Sequence, residues 1–91
     1  MNDITEREHT LMTHATAADE RRKGKRGFRN YFCAAIGGDD YKVWVGLVAR
    51  GLAREGHKIN QGRDQYFMVT ELGCKLIGLS GKALKRAMGA D

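Results

Sequence analysis

Residues 39–79 read DDYKVWVGLVARGLAREGHKINQGRDQYFMVTELGCKLIGL, and the changes of period along this stretch set the architecture. At about 100° per residue, Tyr41, Trp44, Val45, Val48 and Leu52 share one stripe, the spacing of a helix that buries one face. The opposite side holds Val43, Gly46, Arg50, Ala53 and Arg54. Asp39 or Asp40, just after Gly37-Gly38, offers a carboxylate to the unpaired amides of a first turn and suits the positive end of the helix dipole. Gly56, after Arg54 and Glu55, is a residue able to end a helix in a left-handed turn. The expectation is a helix over about 40–55 with an inward aromatic stripe and a basic outward face.

The polar run after Gly56 leads to Gln65-Tyr66-Phe67-Met68-Val69-Thr70, rich in aromatic and β-branched residues, so residues 57–70 read as a hairpin with its tip at 60–64. An isolated hairpin is marginal in water, so it must rest on the helices. Thr70 is placed to cap a following helix with Leu72, Leu76 and Leu79 inward, and Gly73 allows a close approach there.

Upstream, residues 3–18 read as a first helix. Asp3 with Glu6, or Thr5 with Glu8, has capping-box spacing, and Ile4, Leu11, Ala15 and Ala18 form a narrow stripe suited to the Tyr41-Trp44-Val48 face. Residues 20–27 have two glycines and almost no apolar side chain, the composition of a loop. Residues 28–36 turn apolar again, as a short strand pairing with the hairpin or as one helical turn. Tyr31 and Phe32 favour the strand, whereas Ala34-Ala35 does not. The tail, residues 80–91, either continues as a short helix with Lys82, Lys85 and Arg86 outward or frays.

The segments Leu47-Val48-Ala49-Arg50-Gly51-Leu52 and Tyr66-Phe67-Met68-Val69-Thr70-Glu71-Leu72-Gly73, with a polar wing between them, resemble the helix-wing-helix half of winged-helix DNA-binding domains of the MarR-like type. Paired with Arg29-Asn30-Tyr31-Phe32, this half is similar to small bacteriophage or prophage proteins. The resemblance spans residues 39–79 and implies one winged-helix-like α+β domain over residues 1–91, with helices, a two- or three-stranded antiparallel β-wing, the basic loop 20–29 and the tail 80–91. A full winged helix has a separate helix before the recognition helix, and residues 29–38 are too short for a helix plus a turn.

Composition narrows the function classes. Ninety-one residues make one domain with a small core, leaving no room for a separate catalytic domain. There is no apolar run long enough to span a bilayer, and residues 1–6 lack the regions of a secretory signal, so a cytoplasmic location, in a bacterial host, is expected. Cys33 and Cys74 read as small core thiols in a reducing compartment. His9 and His14 are five apart, about 140° round a helix, so no metal or other cofactor is expected. No Ser-His-Asp order, paired carboxylates or phosphate loop is present; Gly78-Leu79-Ser80-Gly81-Lys82 lacks the first glycine of that loop, and an enzyme is not expected.

The net charge is +5, and its distribution is uneven. Residues 1–20 hold Asp3, Glu6, Glu8, Asp19 and Glu20, whereas residues 21–29 hold Arg21, Arg22, Lys23, Lys25, Arg26 and Arg29 with no acid. A block of this density can displace counterions from a phosphate backbone, or it can be a solvated loop that balances the acidic first helix. Read with the resemblance, double-stranded DNA is the expected partner, in the role of a small transcriptional or DNA-associated regulator. Arg50 and Arg54 would enter the major groove beside Lys42, Arg63 at the wing tip would reach the minor groove or phosphates, and Lys58 would touch the backbone. Lys23, Lys25, Arg26 and Arg29 would add contacts without sequence preference. One recognition helix is a weak reader, which implies a homodimer on a two-fold site. The alternative is a phage-encoded inhibitor that binds a host nucleoprotein machine, anti-CRISPR-like or polymerase-directed, through exposed aromatic or arginine anchors.

Overall fold

The computed structural model describes residues 3–89, apart from the side chain of Lys23. The chain runs through helix α1 (Glu6–Thr16), a 3-10 turn (Lys23–Lys25), strand β1 (Phe32–Ala35), helix α2 (Asp39–Ala49), strands β2 (Ala53–Ile59) and β3 (Asp64–Val69), and helices α3 (Glu71–Leu76) and α4 (Gly81–Ala87). It is a compact α+β domain whose three strands form one antiparallel sheet in the order β1-β3-β2.

Local chemistry explains the element ends. Thr5 and Glu8 form the capping box of α1: the Glu8 amide donates to Thr5 Oγ1 at 3.1 Å and the Thr5 amide donates to Glu8 Oε1 at 2.8 Å. The hairpin tip turns through Asn60, Gln61 and Gly62, all with positive φ. Apolar and aromatic residues 28–36 supply β1, paired Phe32 to Phe67 and Ala34 to Gln65, and only residues 36–38 separate it from α2.

Helix α2 ends earlier than the periodicity suggests. It stops at Ala49, and Gly51 rather than Gly56 takes the left-handed turn, with φ of 76°. The Leu52 amide donates to the Leu47 carbonyl and the Gly51 amide to the Val48 carbonyl, the paired bonds of a Schellman end, and the apolar partners Leu47 and Leu52 are both fully buried. Arg54, Glu55 and Gly56 therefore belong to β2. With the helix shortened, Trp44 and Leu47 face the core, Val43 is half-buried, Ala53 is buried and Val45 is exposed.

The core is built around Trp44, which is fully buried and stacks on Phe67 with centroids 5.7 Å apart and planes 14° apart. Phe32 lies 5.5 Å from Trp44, and Tyr41 meets Phe67 edge-on. Met12, Leu11 and Ala15 from α1 complete that side. Such ring pairs add about 0.5–1.5 kcal/mol beyond their burial.

Thr70 joins two helix ends. Its Oγ1 accepts from the Gly73 amide at 3.2 Å and donates to the Gly51 carbonyl at 2.7 Å. A Cβ on Gly73 would stand 2.3 Å from the Leu52 carbonyl oxygen, so only glycine lets α3 lie this close. That approach turns Gly73 and Cys74 inward. Leu72 and Leu76, one turn apart, face solvent instead of the core, while Leu79 is buried. Cys74 is buried, and burial, with Glu71 nearby, pushes its thiol up to about 11. Cys33 is exposed, because the alternation of β1 sends Ala34 inward and Cys33 outward.

Candidate nucleic-acid interface

The residues expected on one DNA-reading face are divided between elements. Arg50, at the end of α2, pairs with Glu8 at 3.1 Å and donates to the Asp3 carbonyl. The Thr5 amide, followed by Arg50, holds the Glu8 carboxyl below its ordinary value. Arg54 is exposed on β2 opposite Met68, and Lys58 is exposed opposite Gln65, so the two lie on different faces of the sheet. Arg63 is exposed at the hairpin tip. What remains outward on α2 is Lys42, with Val45, Gly46 and Ala49, and the helix begins with Asp39 and Asp40. Asp40 is paired with Arg7. Carboxylates at that end oppose a phosphate backbone, and a single lysine does little to attract one.

The basic loop behaves differently, because the fold gives it a second basic element. Helix α4 forms over Gly81–Ala87 and docks on the loop. Arg86 Nε donates to the Arg26 carbonyl at 3.0 Å, and Gly27, with φ of 76°, lies so close that a Cβ there would be 2.1 Å from the Ala83 carbonyl oxygen. A cleft of about 370 Å³ runs between the two segments, with Arg26, Lys82, Arg86 and Ser80 in its walls. Arg26 Nε donates to the Glu20 carbonyl at 2.8 Å. That neutral partner fixes the guanidinium, and among the described residues no carboxylate pairs with it.

Arg21, Lys25, Lys82 and Lys85 are exposed, and among the described residues no carboxylate pairs with them. Arg22 is the exception: it pairs with Glu20 at 3.2 Å, and the Arg22 side chain, as a hydrogen-bond donor, holds that carboxyl below its ordinary value. The side chain of Lys23 lies outside the described part of the structure. Arg29 stands slightly apart: it donates to the His14 carbonyl at 2.6 and 3.0 Å and covers the exposed Phe28 ring at 5.4 Å.

Asn30 holds the assembly together. Its Nδ2 donates to the Val69 carbonyl at 2.8 Å and to the Ala87 carbonyl at 3.1 Å, and its Oδ1 accepts from the Val69 amide at 2.8 Å. One side chain thus links the loop, the end of β3 and the end of α4.

Among the described residues, no group of His, Cys, Asp and Glu could hold a metal ion, and no helix is long and apolar enough to cross a membrane. In comparisons with protein-family models, curated proteins and solved structures, nothing matches this chain.

Proposed function

We propose that the protein binds nucleic acid through the phosphate backbone, at the pole formed by loop 20–29 and α4. The observation that carries this reading is the docking of α4 on the loop. It brings Arg26, Lys82 and Arg86, from segments more than fifty residues apart, to the walls of one cleft, with Arg21, Lys25 and Lys85 exposed on the same two segments. Clustered cations of this kind bind a polyphosphate by releasing its counterions, with little demand on base sequence.

The strand order β1-β3-β2, with a hairpin following α2, is consistent with a winged-helix-like layout less one helix, and that likeness is what speaks for a DNA-associated role as a small regulator. The layout does not favour the usual insertion of α2 into a major groove, since Arg50 is bound to Glu8 and Arg54 stands on the sheet. A second reading, a protein-binding inhibitor, draws on Leu72 and Leu76, which are exposed side by side on α3.

The test is a salt titration of binding to random-sequence oligonucleotides. Affinity should fall steeply with salt, and replacing Lys25, Lys82 and Lys85 with Ala should flatten the log-log slope by about 0.7–0.9 per cation lost. Affinity that ignores salt, or a triple variant that binds as the parent does, would reject the pole.

A further inference from the structure

The outer face of the sheet carries rings that the core does not use. Tyr31 is 55% exposed although its amide is anchored on the Ala15 carbonyl at 3.2 Å, so the backbone is held in place while the ring is left in solvent. Tyr66, on the outward side of β3, meets Tyr31 edge-on at 6.0 Å and His57 at 5.2 Å. Together with Met68, these rings line a groove of about 390 Å³. The irregular register between Glu55 and Lys58 places Gly56 in its floor, where a Cβ would press on Met68 Sδ at 3.2 Å. The groove is open because that position has no side chain.

Charge decides what fits there. No groove-lining residue is acidic; on the neighbouring strand residues, Glu55 accepts from Gln65 and Asp64 accepts from Asn60. Arg54 projects from the outer face opposite Met68. At the other side, Tyr31 also lines an adjoining hollow with Arg29, whose guanidinium donates to a neutral carbonyl and covers a ring, with no carboxylate paired to it among the described residues. A flat ring entering the groove therefore meets aromatic edges and faces with a cation at each side, and the Arg29 side leads back along the chain to the basic loop.

We infer that this face takes unstacked bases of a single-stranded nucleic acid, with Tyr31 and Tyr66 as the stacking rings and Arg29 and Arg54 on the flanking phosphates. The assignment rests on the phosphate-binding reading above and adds the class of ligand. Stacking on aromatic side chains tolerates any base, because every base has a π-face, and it requires a strand whose bases are not paired.

The experiment compares three ligands in one anisotropy assay: an oligothymidylate of about 12 nucleotides, an abasic oligomer with the same number of phosphates, and a random duplex. The oligothymidylate should bind about 5- to 150-fold more tightly than the abasic strand for each base stacked. Tyr31→Ala and Tyr66→Ala should each narrow that gap without changing the salt slope, and Tyr66→Phe should keep it. The melting temperature of each variant separates a lost ring from a lost fold, and Tyr31, being exposed, serves as the reference.

Equal binding of thymidylate and abasic strands would overturn base stacking while leaving the basic pole intact. An unchanged gap in Tyr31→Ala would also overturn it. A Tyr31→Ala variant that changes from dimer to monomer with strand affinity unaltered would assign the face to a second copy of the chain instead. Failure of all three ligands to bind would reject the phosphate reading and this one together.

Discussion

Two regions of the molecule carry arginines at suggestive spacing, and the fold treats them in opposite ways. In the α2–β2 segment, Arg50 and Arg54 are four apart and look like neighbours on a helix. The glycine turn at Gly51 separates them, and Glu8 neutralises the first. At the pole, Arg26 and Arg86 are sixty residues apart and have no pattern in common, yet the Arg86 guanidinium donates to the Arg26 carbonyl. Spacing reports proximity only for as long as one element continues, whereas a basic surface is made by whatever tertiary contacts bring together.

Both regions depend on the core between them, so the largest effect is expected there. Trp44→Ala should destabilise the fold by about 3–5 kcal/mol in chemical denaturation. Among the described residues the buried Trp44 Nε1 has no hydrogen-bond partner, and an unpaired buried donor costs about 1–3 kcal/mol. Trp44→Phe should accordingly cost much less than Trp44→Ala, and equal losses would show that the indole itself, rather than a filled volume, is required there.

A change confined to the pole comes next. Asn30→Ala removes three hydrogen bonds and leaves the Val69 amide without its partner, which should cost roughly 2 kcal/mol and loosen α4 from the loop. Nucleic-acid affinity should fall with it, although Asn30 touches no phosphate in this account. Unaltered affinity in a variant so destabilised would mean that the docking of α4 does not matter.

On the α2 side the opposite pattern is expected. Arg50→Ala should cost about 1 kcal/mol or less of stability and leave binding unchanged, because the side chain is committed to Glu8 and the Asp3 carbonyl. The same pair sets an acid limit. A carboxyl held below its ordinary value of 4.5 stabilises the fold above that pH, and the contribution disappears as pH falls through the lowered value. Melting temperature should decline with acid more steeply in the parent than in Glu8→Gln. The smallest effect is chemical: a thiol reagent should label Cys33 in the native protein and spare Cys74, which burial keeps protonated and enclosed.

Much of the fold was legible where chemistry is local. The Thr5–Glu8 capping box, the hairpin with its tip near 60–64 and the Thr70 cap follow from short-range rules, whereas residues 32–35 suited a strand or a helical turn until β3 paired with them. The end of α2 is ambiguous in the sequence because two glycines, Gly51 and Gly56, both suit a left-handed turn. The signal that separates them is the apolar residue after the glycine, Leu52, which closes onto Leu47. Helix α3 has the same ending at Gly78-Leu79. Its inward side could not be read from leucine spacing, because a backbone approach at Gly73 outweighs the burial of Leu72 and Leu76.

The site was legible as composition and not as geometry. The loop was evident as a run of cations, but its union with Lys82, Lys85 and Arg86 depends on contacts between residues 26–30 and 83–87, across the whole chain. The outer rings were present in the alternation of β3. Gln65, Phe67 and Val69 face inward and Tyr66 and Met68 outward, so a polar residue occupies the core side and obscures which face is which.

The most direct test is an amide chemical-shift titration of the isotopically labelled protein with a short oligonucleotide. The largest shifts should fall on residues 21–31 and 81–87 and, with a single strand, on 56–57 and 66–68 of the outer sheet face, with the exposed face of α2 at 42–49 nearly still. Shifts concentrated on 39–50 and the hairpin tip, with the pole unmoved, would contradict binding at the pole.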